Sequence, residues 1–198
     1  KFPVISSASV LKKSKSKSPL KKENNFFYIG SLHKFKVHND FLNIIVKNIE
    51  QLKTFNIYGE NELIRIYRKK ITRNSLKKKI FFHGFQRDVK KVYNKYRYLL
   101  YLLKKNHYGS AENVLIESMG EGVIPIVLNN NVEKKIIKNN YNGYILQNTK
   151  DLKNLLFNIN TNKSHYLKIS KNCKNFANNN FSVNKMVKKF EIIYRKLK

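Results

Sequence analysis

A short segment, residues 106–113, combines residue types that could hold a phosphate group. Gly109 allows a ligand to approach the backbone closely, and Ser110 is a favourable cap for the helix predicted to follow it. The free N–H groups of a first helical turn, together with the helix dipole, attract an anion. The segment therefore predicts an anion site that suits a pyrophosphate.

A second segment, residues 30–38, carries two lysines that could meet the same anion. Composition favours an ordinary solvated role for Lys34, whereas the position of Lys36 favours a role in binding. The segment lacks the G-x-G-x-x-G pattern of dinucleotide sites, and Tyr58 and Gly59 end the second predicted strand where an NAD site has an acidic residue. A nicotinamide-dependent dehydrogenase is therefore disfavoured, and no cofactor is predicted.

The helix predicted after Ser110 carries the acidic side chains nearest to this anion site. Asn113 and Glu117 are four residues apart and share one face, while Leu115 and Met119 share a second face that suits the core. Glu112 in the first turn could simply stabilise the helix dipole. Glu117, in the middle of the helix, is a candidate ligand-binding residue, and its alternative is a solvated surface position.

Metal and thiol chemistry are not supported by the sequence. The histidines show no spacing typical of a metal site, and none has an acidic partner at such an interval; they are His33, His38, His83, His107 and His165. His107 borders the predicted anion site and could contact a ligand, although a hydrogen-bonded loop histidine is the commoner role. Cys173 is the only cysteine, which excludes an intramolecular disulfide and indicates a reducing, cytoplasmic setting.

The elements that must position these residues alternate regularly along the chain. Short apolar strands ending near glycine alternate with helices, a pattern that predicts an α/β, doubly wound, Rossmann-like parallel sheet with C-terminal helices. Six strands are predicted over residues 26–30, 54–59, 79–84, 98–103, 124–128 and 143–146. Helices are predicted over residues 40–52, 60–70, 88–95, 111–119 and 133–138, and then over 151–159, 166–177 and 183–197.

This topology predicts where a ligand would bind. In a doubly wound sheet, ligands lie at the carboxyl ends of the strands, at the point where the strand order reverses, which in the usual order lies between the first and fourth strands. Segments 30–38 and 106–113 follow those two strands. We therefore expect the Gly30 and Gly109 loops to lie side by side at one edge.

Charge is the unusual feature of the composition. The chain of 198 residues has 41 Lys and Arg against 12 Asp and Glu, a formal net charge of +29. Such a charge attracts nucleic acid, phospholipid headgroups or phosphorylated ligands, and proteome-wide compositional drift explains it equally well. The basic and aromatic run at residues 93–97 would allow nucleic-acid binding but is more typical of an amphipathic helix face.

Four motifs together resemble glycosyltransferase family 4. Residues 108–127, YGSAENVLIESMGEGVIPIV, are similar to the family signature E-x7-E-A-M-A-x-G-x-P-V-V, and residues 28–36 are similar to its G-R-L-x-x-x-K-G donor loop. Glu133 with residues 142–145 resembles a downstream family segment, and residues 82–85 resemble the strand that flanks the base pocket. The resemblance covers roughly residues 25–197.

The resemblance implies the donor-binding half of a GT-B fold that transfers a sugar, with retention, from a nucleotide diphosphate sugar to a glycan or lipid-linked acceptor. Glu117 would accept hydrogen bonds from the ribose, and the helix-start amides around Asn113, Val114 and Leu115 would hold the diphosphate. Gly30, Ser31, Lys34, Gly109, Ser110 and Glu112 would complete the donor site, and Lys36 would neutralise the phosphate as the glycosidic bond breaks.

The chain departs from the family pattern at two positions. Gly109 stands where the first Glu of the signature is expected, Glu112 is out of register with it, and Ser31 replaces the Arg of the donor loop. The family's N-terminal, acceptor-binding half is missing, so we expect residues 1–24 to be a basic linker before a donor-binding domain over 25–198, inactive alone. A peripheral membrane contact through the basic surface is expected, while a nucleic-acid-binding module and a nucleotide-sugar epimerase remain alternatives.

Overall fold

The sheet is parallel throughout and has the predicted doubly wound order. The computed structural model describes residues 23–107, 113–161 and 163–196. Its strand order is β3-β2-β1-β4-β5-β6, and every neighbouring pair is parallel. The strands are β1 (Glu23–Ile29), β2 (Phe55–Tyr58), β3 (Ile80–Phe82), β4 (Tyr96–Tyr101), β5 (Ile124–Leu128) and β6 (Tyr144–Leu146). The predicted fold class and the existence of all six strands are confirmed.

Helices cover the sheet in the predicted order, with some different bounds. They are α1 (Phe41–Lys47), α2 (Ile49–Leu52), α3 (Glu62–Lys70), α4 (Asn74–Lys77), α5 (Val89–Tyr93), α6 (Asn113–Gly120), α7 (Glu133–Ile136), α8 (Asp151–Thr161), α9 (Lys163–Phe181) and α10 (Val183–Lys196). The single helix predicted over 40–52 is wrong, because Asn48 interrupts it and its side-chain amide donates to the carbonyl of Ile44 at 2.8 Å. The short helix α4 was not predicted.

Two predicted boundaries also differ from the structure. β1 begins at Glu23, so the linker boundary predicted at residue 24 falls inside that strand. β4 begins at Tyr96 rather than at residue 98, and Tyr93 and Tyr96 are both buried. The basic and aromatic run at residues 93–97 is therefore part of a helix end and a core strand, which leaves these two rings unavailable for stacking on bases.

The sheet interior is unusually rich in aromatic rings. Phe26 of β1 stacks on Tyr98 of β4 with ring centroids 5.0 Å apart, and Phe27 stacks on Tyr96 at the same distance. All four are almost completely buried, and full burial of a large apolar side chain contributes roughly 1.5–3 kcal/mol. These contacts join β1 to β4, the two strands from which the predicted site loops extend.

The C-terminal helix α9 is attached to the sheet layer by polar contacts. Ser170 donates a hydrogen bond from Oγ to the carbonyl of Gly122 at 2.6 Å, and the buried Cys173 thiol donates to the carbonyl of Asn142 at 3.0 Å. By contrast, α10 has no buried residue and exposes Phe190 and Tyr194. The packed helical layer thus ends with α9.

Three glycines follow the ends of the first three strands and connect neighbouring strand ends by backbone hydrogen bonds. Gly30 donates its N–H to the carbonyl of Tyr58 at 3.1 Å, and Gly59 donates to the carbonyl of Gly84 at 2.8 Å. Gly30 and Gly59 have φ of +136° and +132°, a conformation that L side chains rarely adopt. A methyl group at Gly59 would also overlap the backbone carbonyl of Gly30, so the two loops approach as closely as they do because residue 59 has no side chain.

We expect Gly59→Ala to destabilise the fold more than Gly30→Ala does. Both substitutions strain the backbone, at a cost of roughly 1–3 kcal/mol each. Only the methyl at residue 59 would overlap backbone; at residue 30 the nearest atom is the Tyr28 hydroxyl, at 3.5 Å. Urea unfolding of the two variants measures the difference, and equal losses of stability would contradict the close approach of the loops.

Candidate functional site

The candidate site lies at the carboxyl ends of the neighbouring strands β1 and β4, near the centre of the sheet. The strand order reverses at this pair, since β2 and β3 lie on one side of β1 while β5 and β6 lie beyond β4. Parallel strands end at the same edge, so the segment after β1 and the segment after β4 leave the sheet together. This is the place predicted for a ligand.

The loop after β1 is hydrogen-bonded directly to the chain that follows β4. His38 donates its N–H to the carbonyl of Leu102 at 3.0 Å, and Lys104 donates its N–H to the carbonyl of Lys36 at 2.9 Å. Val37 and Leu103 form an antiparallel bridge between these two contacts. The backbone that carries Lys36 is thereby held against residues 102–104, which lead into the segment 106–113.

Lys34 and Lys36, the two lysines of the loop after β1, differ in their surroundings. Lys36 is half-buried, and its Nζ lies 5.5 Å from the ring centroid of Tyr101 at the end of β4. Lys34 is exposed, and its Nζ lies 5.1 Å from the ring of Phe35, which is itself exposed. A cation over an aromatic face near the surface is held only weakly, but Lys36 is oriented towards β4 and Lys34 is not.

Ser31, which stands at the position of the family's Arg, is fixed by two neighbouring elements. Its hydroxyl accepts a hydrogen bond from the side-chain amide of Asn61 at 3.1 Å, and its carbonyl accepts one from the hydroxyl of Tyr28 at 2.9 Å. These contacts hold the turn after Gly30 beside the loop that follows β2. Ser31 is exposed, so it remains accessible at this edge.

Part of the predicted anion loop lies outside the described residues. Gly109, Ser110 and Glu112 fall within residues 108–112, which the structure does not describe. Helix α6 begins at Asn113, which is exposed, and Val114 after it is half-buried. The Leu115 side chain is completely buried in the core, so any contact of Leu115 with a ligand is restricted to its backbone amide.

Glu117 has a hydrogen-bonding partner that was not predicted. The carboxylate is half-buried, and its Oε2 accepts a hydrogen bond from the hydroxyl of Tyr93 at 3.2 Å. The alternative of a fully solvated surface glutamate is therefore wrong. Tyr93 lies 24 residues earlier, at the end of α5, and no spacing rule connects the two positions.

His107 forms a buried pair with Glu133, the first residue of α7. His107 Nε2 lies 3.0 Å from Glu133 Oε1, and the two side chains are 1% and 0% exposed. Asn130 adds hydrogen bonds from its side-chain amide to the carbonyls of Leu103 and Lys104. Direct contact of His107 with a ligand, considered from sequence, does not fit this burial, whereas a hydrogen-bonded loop histidine does.

A second group of polar residues lies farther along the same edge, after β2 and β3. His83 stacks on Tyr58 with ring centroids 4.4 Å apart, and its Nε2 lies 2.8 Å from Asn56 Oδ1. Partial burial, with the nearby charge of Lys95, lowers the pKa of His83, which favours the neutral ring. An open cavity of about 730 Å³ adjoins this strand end, lined in part by Gly59 and Gly84.

Clusters of metal-ligating side chains and membrane-spanning helices are both absent from the part of the chain that the structure describes. It contains no group of three or more His, Cys, Asp or Glu side chains that could hold a metal ion. None of the helices within it is long and apolar enough to cross a membrane.

Comparison with solved structures gives the same fold at low sequence identity. HepE from Anabaena, solved with UDP and glucose, superimposes with a TM-score of 0.74 at 16% identity, over 87% of this chain and 48% of that one. TarM gives 0.75 at 16% identity, over 98% and 38%. The C-terminal domain of the group 1 glycosyltransferase LpcC from Francisella tularensis gives 0.66 at 17% identity, over 91% and 97%.

The chain thus spans less than half the length of HepE and of TarM. No curated protein sequence matches it significantly. The family model described as "Glycosyl transferases group 1" matches residues 11–178, which is most of the chain. The protein therefore belongs to the group 1 glycosyltransferases, and its Rossmann-like sheet with the helices that cover it forms a domain of the GT-B fold.

Proposed function

We propose that this chain is the donor-binding domain of a retaining glycosyltransferase of the family 4 type. It would transfer a sugar from a nucleoside diphosphate sugar to a glycan or lipid-linked acceptor. The observation that carries the proposal lies at the carboxyl ends of strands β1 and β4. There, the loop that bears Lys36 is hydrogen-bonded to the chain leading to α6. A positive side chain and a helix start at one sheet edge suit a diphosphate.

Three groups of predicted residues have distinct chemical roles in this proposal. The diphosphate is bound by first-turn amides of Asn113, Val114 and Leu115, with Gly109 and Ser110 before them. Lys36 neutralises the negative charge that grows on the leaving phosphate as the glycosidic bond breaks, and such electrostatic stabilisation is commonly the largest catalytic contribution. Glu117 accepts hydrogen bonds from the ribose hydroxyls.

Structural neighbours support UDP as the nucleotide to test first. HepE was solved with UDP and glucose, and a pneumococcal O-GlcNAc transferase was solved with UDP and GlcNAc. Family membership favours sugar transfer over the alternatives of a nucleic-acid-binding module and an epimerase. UDP should raise the melting temperature of the protein, whereas non-specific nucleic-acid binding should instead show a steep dependence on salt.

The acceptor side of the reaction is proposed from the length, the charge and the exposed surface of the chain. Since the chain spans less than half of HepE and TarM, we propose that a further domain supplies the acceptor site. The net charge of +29 and the exposed apolar side chains of α10 support a peripheral contact with an anionic membrane on its cytoplasmic side. This placement would suit glycan biosynthesis on a lipid-linked acceptor.

Glu117→Gln tests the proposed donor site. The substitution keeps the size of the side chain but removes the charge that strengthens its hydrogen bonds with ribose hydroxyls. We expect the free energy of UDP binding, measured by titration calorimetry, to weaken by roughly 1.5–3 kcal/mol. Glu121→Gln, four residues later and just beyond the end of α6, is the matched control and should leave binding unchanged. If Glu117→Gln binds UDP as tightly as the parent and melts at the same temperature, Glu117 has no role in the site.

A further inference from the structure

Two polar contacts join helix α5 to helix α6 and to the residue that follows α6. Tyr93 donates a hydrogen bond from its hydroxyl to Glu117 Oε2 at 3.2 Å. The Nζ of Lys90 lies 3.6 Å from Glu121 Oε1. Lys90 and Tyr93 are three apart on α5 and share a helix face. Glu117 lies on α6, and Glu121 immediately follows the last residue of that helix, with its N–H donating to the carbonyl of Glu117 at 3.3 Å. The first contact alone involves the carboxylate assigned to the ribose.

Tyr93 holds its hydroxyl in a fixed place. The side chain is 2% exposed, and its ring centroid lies 6.3 Å from that of Phe27 on β1. A tyrosine has only two side-chain torsions before its hydroxyl, and packing against the sheet restricts both of them. Burial, together with the neighbouring carboxylate of Glu117, raises the pKa of Tyr93 far above its usual range, so the phenol remains a proton donor.

We infer that Tyr93 is a positioning residue for nucleotide binding, one that orients the Glu117 carboxylate towards the ribose hydroxyls. A glutamate on a helix has several rotatable bonds, and restricting them before the ligand arrives reduces the entropy lost on binding. The hydrogen bond from Tyr93 restricts the carboxylate from the sheet side. This inference rests on the proposed function, since it assigns to Tyr93 a role that acts through Glu117.

Tyr93→Phe removes the hydroxyl and keeps the buried ring. We expect this variant to bind UDP roughly three- to tenfold more weakly, the equivalent of one hydrogen bond of ordinary strength. The dideoxy nucleotide 2′,3′-dideoxyuridine diphosphate lacks the hydroxyls that Glu117 would bind. We expect the Tyr93→Phe variant and the parent protein to bind this nucleotide with equal affinity. Lys90→Met, which breaks the contact between α5 and Glu121, is the matched control and should leave both affinities unchanged.

A double-mutant cycle separates positioning from general stability. In a Glu117→Gln background we expect Tyr93→Phe to change UDP affinity by less than about twofold, because the carboxylate that it orients is already gone. Equal weakening of UDP and of the dideoxy nucleotide, or full additivity in the cycle, would overturn the positioning role. An undiminished UDP affinity in Tyr93→Phe would do the same.

The outcomes also separate this inference from the proposed function. If Glu117→Gln weakens UDP binding while Tyr93→Phe does not, the donor site stands and the role of Tyr93 is wrong. If the parent protein does not bind UDP or any other nucleoside diphosphate, the proposed function is wrong and the inference falls with it. Melting curves of each variant show that the measured changes come from a folded protein.

Discussion

His107→Leu should lower the free energy of unfolding by roughly 1–3 kcal/mol, the range for leaving a buried hydrogen-bonding group without its partner. The physical reason is the complete burial of Glu133, which in this variant loses its 3.0 Å contact with His107. Desolvation of a carboxylate is expensive unless a polar partner replaces the lost water. Urea unfolding followed by circular dichroism measures the change.

A second substitution tests whether the cost arises from the contact that Glu133 loses. In the double variant His107→Leu/Glu133→Met, both polar groups are replaced by apolar side chains of similar volume, and we expect most of the stability to return. The exposed ion pair of Lys79 with Glu50, 2.7 Å long, is the control: Lys79→Met should cost less than about 1 kcal/mol. A double variant as unstable as His107→Leu alone would contradict this explanation.

The pair matters for function because of where it lies. His107 immediately precedes residues 108–112, and Asn130 fixes the carbonyls of Leu103 and Lys104 just before it. Glu133 and Asn130 therefore hold in place, by hydrogen bonds, the chain that leads from β4 to the predicted phosphate loop. We expect the loss of the contact between His107 and Glu133 to weaken nucleotide binding as well.

Lys36→Ala should reduce kcat by roughly 10²–10³-fold, the range for removing one group that stabilises developing negative charge. Affinity for UDP should change much less, because the charge on the leaving phosphate grows as the glycosidic bond breaks. Release of UDP from saturating UDP-sugar by the full-length protein measures kcat, and calorimetry measures the affinity.

The control for this prediction is a lysine at the opposite end of the strands, where their amino ends lie. Lys78 is exposed and immediately precedes the chain entering β3, so Lys78→Ala removes one positive charge far from the site. This variant should keep the parent kcat, which excludes an effect of net charge alone. If Lys36→Ala instead kept kcat at saturating donor and weakened only UDP binding, Lys36 would act in the ground state and not in the transition state.

The sequence by itself determined the fold class, the strand order and the edge of the sheet where the site is proposed. Apolar runs such as that of β5, which is buried at every position, are typical of strands covered on both faces. Short connections and right-handed crossovers then leave few ways to arrange six such strands. Because parallel strands end at one edge, residues 30–38 and the chain after β4 had to meet there.

Only the tertiary structure decided which side chains at that edge contact each other. Tyr93 and Glu117 are 24 residues apart, and His107 and Glu133 are 26 apart, and no local sequence pattern specifies how the segments that carry them pack against each other. The helix break at Asn48 likewise depends on a buried side chain reaching a backbone carbonyl. Periodicity reports which face of an element is buried, whereas such partnerships depend on atomic distances between elements that pack together only in the folded chain.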